Sequence, residues 1–188
     1  MSRHLSRLTP LALALGLSAC SGIPEGTSAV DDFELERYLG RWYEVARFDH
    51  SFEEGLDCVT ADYSLRDDGG VRVINRGVNL SENEADVAEG KAYFVEEKNI
   101  GRLKVSFFGP FYAGYNILEL DDDYGWALVS GPDRDYLWIL SRTPELPAAT
   151  EQRLVDRAAE LGFPVKELLE VEQADICSEW RLAEKQDT

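Results

Sequence analysis

Apolar and polar residues alternate along most of the chain between positions 42 and 140, with short turn-like stretches between the alternating segments. The clearest alternation runs from Val59 to Leu65, and Asp67-Asp68-Gly69-Gly70 directly after it is typical of a hairpin turn. This pattern predicts eight consecutive strands, over residues 42–48, 59–65, 71–78, 88–95, 103–108, 115–120, 126–130 and 136–140.

The period of the apolar positions changes after the last of these strands. Leu154, Val155, Ala158 and Leu161 recur at helical spacing, and Gly162 follows, which predicts a helix over residues 148–162. A last short strand is predicted at 168–171. Because closure removes exposed strand edges, the hairpin spacing favours an all-β fold, an eight-stranded antiparallel up-and-down β-barrel with one α-helix packed outside, over a β-sandwich.

The first nineteen residues have a different composition. Arg3 and Arg7 form a basic head, and the apolar run over 8–17 is too short to span a bilayer. Leu17-Ser18-Ala19-Cys20 then resembles the lipobox of bacterial lipoproteins, which implies a signal peptide over 1–19 and an acylated Cys20. Ser21 stands where an aspartate would retain such proteins at the inner membrane, so the resemblance implies the outer membrane. Residues 20–32 are polar and predict a flexible tether.

Charge and residue content exclude several function classes. Acidic residues outnumber Lys and Arg by 36 to 19, a net charge of −17, which opposes nucleic-acid binding. A hydrophobic content of 44% argues against a disordered acidic chain. No Gly-x-Ser-x-Gly or P-loop motif occurs, and His50 is the only imidazole after the signal peptide. We therefore expect no metal, no cofactor and no enzymatic activity.

Two segments resemble sequence motifs of the lipocalin family. Gly40-Arg41-Trp42 resembles the Gly-x-Trp signature that opens the first strand, and Leu137-Trp138-Ile139-Leu140-Ser141-Arg142 resembles the third motif. The resemblance implies that Trp42 plugs the closed end of the barrel and that Arg142 stacks across its face, so that Gly40, Trp42 and Arg142 are structural. The family's second motif is degenerate, with Asp121-Asp122-Asp123 in its place.

A closer resemblance, to the bacterial outer-membrane lipocalins, covers about residues 33–175. It rests on Arg47-Phe48-Asp49-His50, Val105-Ser106-Phe107-Phe108-Gly109-Pro110-Phe111 and Gly131-Pro132-Asp133-Arg134. These proteins are similar to apolipoprotein D. The resemblance implies a domain over 33–177 with a tail over 178–188, and binding of fatty acids, lysophospholipids or similar amphiphiles for lipid storage, transport or envelope maintenance. An even pair of cysteines in an exported protein suggests a disulfide, and the placement of Cys58 and Cys177 is similar to the apolipoprotein D bridge that holds the tail.

Alternation along the strands predicts which side chains would meet a ligand. If Trp42 points inwards, so does every second residue of its strand and of the neighbouring strands. The alternative is that these side chains simply fill the barrel. The candidate ligand contacts are Glu44, Phe48, Tyr63, Val73, Asn75, Phe94, Val105, Phe107, Tyr115, Ile117, Tyr136 and Trp138.

Several roles stay open at this point. An inward Glu44 needs a partner, and Asn75 or Tyr63 are expected to supply it, unless Glu44 borders water or acts as an acid in a lipocalin-fold enzyme. A structural envelope protein with a filled barrel is a further alternative. His50 is expected near the mouth, in contact with solvent. The loop with Phe108, Phe111 and Tyr112 is a candidate ligand gate, membrane-touching tip or homodimer contact. Four basic residues could steer an anionic head group or form a solvated outer face: Lys91, Lys98, Arg102 and Lys104.

Overall fold

A computed structural model describes the backbone of residues 22–184 and the side chains as far as residue 180. The predicted signal peptide and Cys20 lie outside the described residues. Eight long strands follow one another along the chain, α1 precedes them, and α2, a short ninth strand and α3 follow them. The elements are α1 (Leu35–Tyr38), β1 (Gly40–Phe48), β2 (Asp57–Leu65), β3 (Val71–Asn79), β4 (Glu84–Phe94), β5 (Arg102–Ser106), β6 (Ala113–Leu120), β7 (Trp126–Ser130), β8 (Leu137–Ser141), α2 (Ala148–Glu160), β9 (Leu168–Glu170) and α3 (Ile176–Glu184).

The eight long strands close into an antiparallel barrel, which confirms the predicted fold class. Each strand pairs with the next, and β1 pairs with both β2 and β8 to close the ring. Short turns join the strands at one end, over residues 66–70, 95–101 and 121–125, and we call this the closed end. The loops at the open end span residues 49–56, 80–83, 107–112 and 131–136.

Trp42 and Arg142 fill the closed end as the resemblance implied. Trp42 is fully buried, its Nε1 donates to the Tyr38 carbonyl at 2.8 Å, and the Arg142 guanidinium lies 4.0 Å from its ring centroid. Gly40 has a φ of +92°, a conformation that residues with a Cβ rarely adopt. The motif glycine therefore lets the chain turn from α1 into β1 beneath Arg142.

A bulge in β1 reverses the predicted orientation of its second half. The register against β8 shifts between Glu44 and Ala46. Trp42 and Glu44 face the interior, but Ala46 and Phe48 belong to a second apolar cluster with Leu154 of α2. Strict alternation placed Phe48 in the barrel, and this prediction is wrong. The bulge adds one residue to the strand, so the side chains beyond it change face.

The C-terminal segment seals the gap where β1 and β2 diverge. Gln173 Nε2 donates to the carbonyls of Glu44 at 3.0 Å and Val59 at 2.7 Å, which joins the two strands. The Cys58–Cys177 disulfide forms, with 5.3 Å between the Cα atoms. The predicted tail over 178–188 begins inside α3, so its first residues are helical.

Residues 22–32 lie along the barrel, so the prediction of a flexible tether is wrong for them. The Val30 amide donates to the Ile117 carbonyl at 2.9 Å, and the Gly101 amide donates to the Val30 carbonyl at 2.9 Å. Backbone groups form these bonds, so the polar composition of the segment did not reveal them.

Candidate ligand-binding calyx

Most of the predicted ligand contacts line the interior of the barrel. The apolar cluster inside the strands also contains Trp42, Leu103 and Leu140. Asn75 lies two residues after Val73 on β3, so its side chain faces the same, inner side of the barrel. Its Oδ1 is buried without a hydrogen-bond partner in the structure. Tyr136 lies in the 131–136 loop at the open end. The predicted residues found in the interior cluster, or packed on it, are Tyr63, Val73, Phe94, Val105, Phe107, Tyr115, Ile117 and Trp138.

Burial of the inner wall decreases towards the open end. Trp42 and Ile117 are fully buried, whereas Val105, Phe107 and Trp138 are only partly buried although they pack against the interior cluster. Solvent therefore reaches apolar surface inside the open half of the barrel. An apolar wall that water can reach is the surface that a hydrocarbon tail would cover.

Three tyrosine hydroxyls meet above the Trp42 plug. The Tyr115 hydroxyl lies 2.8 Å from that of Tyr38 and 3.0 Å from that of Tyr63. Burial raises the pKa of all three phenols, so they are neutral at physiological pH. Two bonds among three hydroxyls use two of the three protons, so one O–H group remains to donate elsewhere. Tyr38 lies in α1 and was not among the predicted residues.

A buried ionic cluster joins β1, β8 and the open-end loop 49–56. Arg47 Nη1 donates to Glu44 Oε1 at 3.1 Å, and Arg47 Nε lies 3.9 Å from Glu53 Oε2. Trp138 Nε1 donates to the same Glu53 oxygen at 3.1 Å. The sequence-based expectation that Asn75 or Tyr63 partners Glu44 is wrong. The β1 bulge brings Arg47 inwards, and alternation alone had placed it outside.

Two carboxylates share one guanidinium in this cluster. Burial raises the pKa of Glu44, and the neighbouring Glu53 raises it further, against the opposing effect of Arg47. Burial also raises the pKa of Glu53, against the Trp138 hydrogen bond and Arg47. Both shifts favour the protonated carboxyl groups, so this part of the barrel disfavours further negative charge.

Aromatic rings cover the mouth on the side of β8. The His50 ring stacks on Tyr136 with 4.5 Å between centroids, and on Phe52 at 5.2 Å. His50 is buried, so the expectation of a solvated imidazole is wrong. Burial lowers its pKa, and the Arg47 charge adds to this effect. Its Nε2 has no hydrogen-bond partner in the structure.

The aromatic loop lies at the open end, and Lys91 and Lys104 lie on the outer face, as alternation predicts. Phe108 and Phe111 project from the 107–112 loop at the open end. Lys104 lies on the outer face, 5.2 Å from the centroid of the Tyr112 ring, and Arg102 pairs with Glu96. Lys91 pairs in register with Arg72 and Ser106, again on the outer face. These positions favour a solvated outer face over a role in steering an anionic head group into the barrel.

Between residues 22 and 184, no helix is both long and apolar enough to cross a membrane.

The chain is similar to known proteins over nearly all of the barrel. A family model described as a lipocalin-like domain matches residues 33–173. Outer membrane lipoprotein Blc of Citrobacter freundii is 52% identical over 173 residues, which cover 91% of this chain and 98% of that protein. Apolipoprotein D of Mus musculus is 32% identical over 154 residues, covering 77% and 79%. Insecticyanin from the tobacco hornworm Manduca sexta has a similar structure, with a TM-score of 0.66 at 20% identity, covering 83% of this chain and 89% of that one.

Proposed function

The chain belongs to the lipocalin family, as one of its lipid-anchored outer-membrane members, and on this basis we propose that it binds a single-chain amphiphile inside the barrel. The hydrocarbon tail would lie along Val105, Phe107 and Tyr115, and the polar head would remain near Glu44 and Glu53. The partly buried apolar side chains of the inner wall are the observation that carries this proposal.

The energy of binding would come from burial of the tail. Each buried CH₂ group contributes about 0.8 kcal/mol, offset by the cost of immobilising the chain. Fatty acids and lysophospholipids both carry such tails. We expect a lysophospholipid whose head contains an ammonium group to bind more tightly than a fatty acid. Burial raises the pKa values of Glu44 and Glu53 and so disfavours negative charge beside them, and a fatty acid would add one. We expect no chemical change in the ligand, so that the role is storage, transport or envelope maintenance.

Native mass spectrometry of the mature domain with Cys20→Ser tests the proposal. The protein is mixed with oleate or with lysophosphatidylethanolamine, and a one-to-one complex is expected with either, stronger for the second. The mass of the released ligand should be unchanged. The same spectra report whether the domain is a monomer or a homodimer.

Two arginine substitutions provide a matched comparison. Phe107→Arg places a charge on the inner wall, whereas Val87→Arg places it on the exposed outer face of β4. We expect the first variant to lose the complex and the second to retain it, with both variants folded by circular dichroism. No complex from the folded unsubstituted domain with either amphiphile would reject the proposal in favour of a filled, structural barrel.

A further inference from the structure

The described chain begins at the open end of the barrel. The Gly22 carbonyl accepts a hydrogen bond from Asn116 Nδ2 at 3.1 Å, and Gly22 packs against the backbone of Pro132 in the 131–136 loop. A Cβ at Gly114 would lie 2.4 Å from the Gly22 oxygen, so only glycine at 114 allows this contact. Gly114 is the second residue of β6, which starts at the open end, and Pro132 lies in an open-end loop. The whole contact therefore lies at the open end.

From this point the segment runs to the opposite end of the barrel. Arg134 Nη2 donates to the Glu25 carbonyl at 2.7 Å, and Val30 then pairs with Gly101 and Ile117. The Phe33 amide donates to the Asn99 carbonyl in the turn at the closed end, at 2.9 Å. These bonds hold the segment along its length, so its first residue cannot move to the closed end while they remain.

This direction determines where the membrane anchor must lie. Cys20 precedes Gly22 by two residues, and two residues span at most about 7 Å in any conformation. An acyl group on Cys20, which the lipobox resemblance implies, would therefore enter the bilayer beside the open end. The closed end is separated from this point by the length of the barrel strands.

The open end also presents the large exposed aromatic side chains. Phe108 is 80% exposed, Phe111 is 79% exposed and Phe52 is 55% exposed, and all three lie in open-end loops. Phe111 is only three residues from Gly114, which contacts Gly22. At the closed end, the turns carry acidic runs at 67–68, 96–97 and 121–123. Exposed aromatic rings and a nearby acyl anchor both favour contact with lipid.

We propose that the barrel rests with its open end on the outer membrane, with Phe108 and Phe111 inserted at the level of the lipid head groups. The mouth of the calyx then faces the lipid surface, and an amphiphile can pass between bilayer and barrel without crossing bulk water. The open-end loops also carry acidic residues, including Asp49, Glu82 and Asp133. Insertion therefore depends on apolar contact, and we expect little dependence on salt concentration.

Hydrogen exchange of the acylated mature protein tests this orientation. Exchange is measured by mass spectrometry in phosphatidylethanolamine–phosphatidylglycerol vesicles and in detergent micelles. Vesicles should slow exchange in the loops 49–56 and 107–112 several-fold relative to micelles, and should leave the turns 66–70 and 121–125 unchanged. Slower exchange at the closed-end turns, or equal exchange at both ends, would refute the proposal. Protection of 107–112 that appears only at high protein-to-lipid ratio would instead identify a contact between two copies.

Three further variants separate the effect of the anchor from that of the exposed phenylalanines at the open end. Phe108→Ser combined with Phe111→Ser should abolish the protection by vesicles, while Leu65→Ser should not, because Leu65 is equally apolar and 57% exposed but lies at the closed end. Twelve Gly/Ser residues inserted after Ser21 span about 20 Å and leave the described fold unchanged. This insertion should reduce the protection of the loops 49–56 and 107–112 by vesicles, because the anchor no longer holds the open end at the membrane surface. Ligand binding is measured separately, on the Cys20→Ser domain, which lacks the acylated cysteine. Failure of the proposed orientation would therefore not decide the test of the proposed function.

Discussion

Arg47 and Glu44 form a buried ion pair across a bulge in β1, with Nη1 3.1 Å from Oε1. Arg47 Nη2 also donates to the carbonyls of Glu53 and Leu56, which ties the 49–56 loop to the barrel wall. Arg47→Met would leave two buried carboxylates without a counter-charge. We expect the free energy of unfolding at pH 7 to fall by about 3–5 kcal/mol, measured by urea denaturation.

The control for this variant is Arg72→Met. Arg72 pairs with Glu89 at 2.8 Å on the outer face, where both side chains are about half exposed. Solvent screens such a pair, so its loss should change stability far less than loss of the buried pair. Similar losses in the two variants would show that the interior cluster is not desolvated.

Glu44→Gln should change how stability depends on pH. Burial raises the pKa of Glu44 in the folded state above the unfolded value of about 4.3. The folded state then binds this proton more tightly, so its stabilising contribution is complete below the unfolded pKa and is lost as pH rises towards the folded pKa. The stability of Glu44→Gln relative to the unsubstituted protein should therefore increase with pH above about 4.3, by up to about 1.4 kcal/mol per pH unit.

Glu89→Gln provides a comparison of opposite sign. Arg72 lowers the pKa of Glu89, so the contribution of this carboxylate is present above the unfolded pKa and is lost as the solution is acidified. Thermal unfolding of each variant between pH 2 and pH 8 checks both slopes, because the contribution of Glu89 changes below the unfolded pKa of about 4.3 and that of Glu44 changes above it. Parallel curves for Glu44→Gln and the unsubstituted protein would contradict the raised pKa.

The strands were predictable because each lies between a hydrated or helix-covered face and an apolar interior. The alternation over Val59–Leu65 continues with one parity to the hairpin turn, and the structure retains that parity. In the second half of β1 both faces are buried, one in the barrel and one under α2. The residues there carry no periodic signal, so the bulge and the inward Arg47 could not be predicted.

Contacts made by backbone groups or by isolated side chains were also missed. Tyr124 follows the acidic run that replaces the second motif, and its hydroxyl accepts a hydrogen bond from the Glu34 amide at 2.8 Å. The Arg37 guanidinium stacks on its ring at 4.1 Å. In the sequence, this role is marked only by a tyrosine three residues after Asp121. Its role depends on α1 packing across the barrel end, which local sequence does not report.

Arg142→Ala should destabilise the closed end of the barrel. Arg142 stacks on Trp42 and donates to the carbonyls of Arg41 at 2.8 Å and Arg37 at 2.7 Å. Loss of the cation–π contact and of two charged hydrogen bonds should lower the free energy of unfolding by about 2–4 kcal/mol. Arg153→Ala removes a stacked arginine from Trp126 on the outer face, at 4.5 Å, and should cost much less. Urea denaturation of both variants makes the comparison, and equal midpoints would contradict a structural role for Arg142.

Removal of the Cys58–Cys177 disulfide should release α3 before it affects the barrel. The cysteines are 119 residues apart, and the loop-entropy model gives such a bridge up to about 5 kcal/mol. Apart from the cysteines, the apolar cluster that holds this helix contains only Val78, Leu80 and Trp180 among the residues that the structure describes. In the Cys58→Ser, Cys177→Ser variant we expect fast hydrogen exchange over 176–184, while the amides of β3 and β6 remain protected in native buffer. Uniformly faster exchange across all strands would instead show that α3 and the barrel unfold as one cooperative unit.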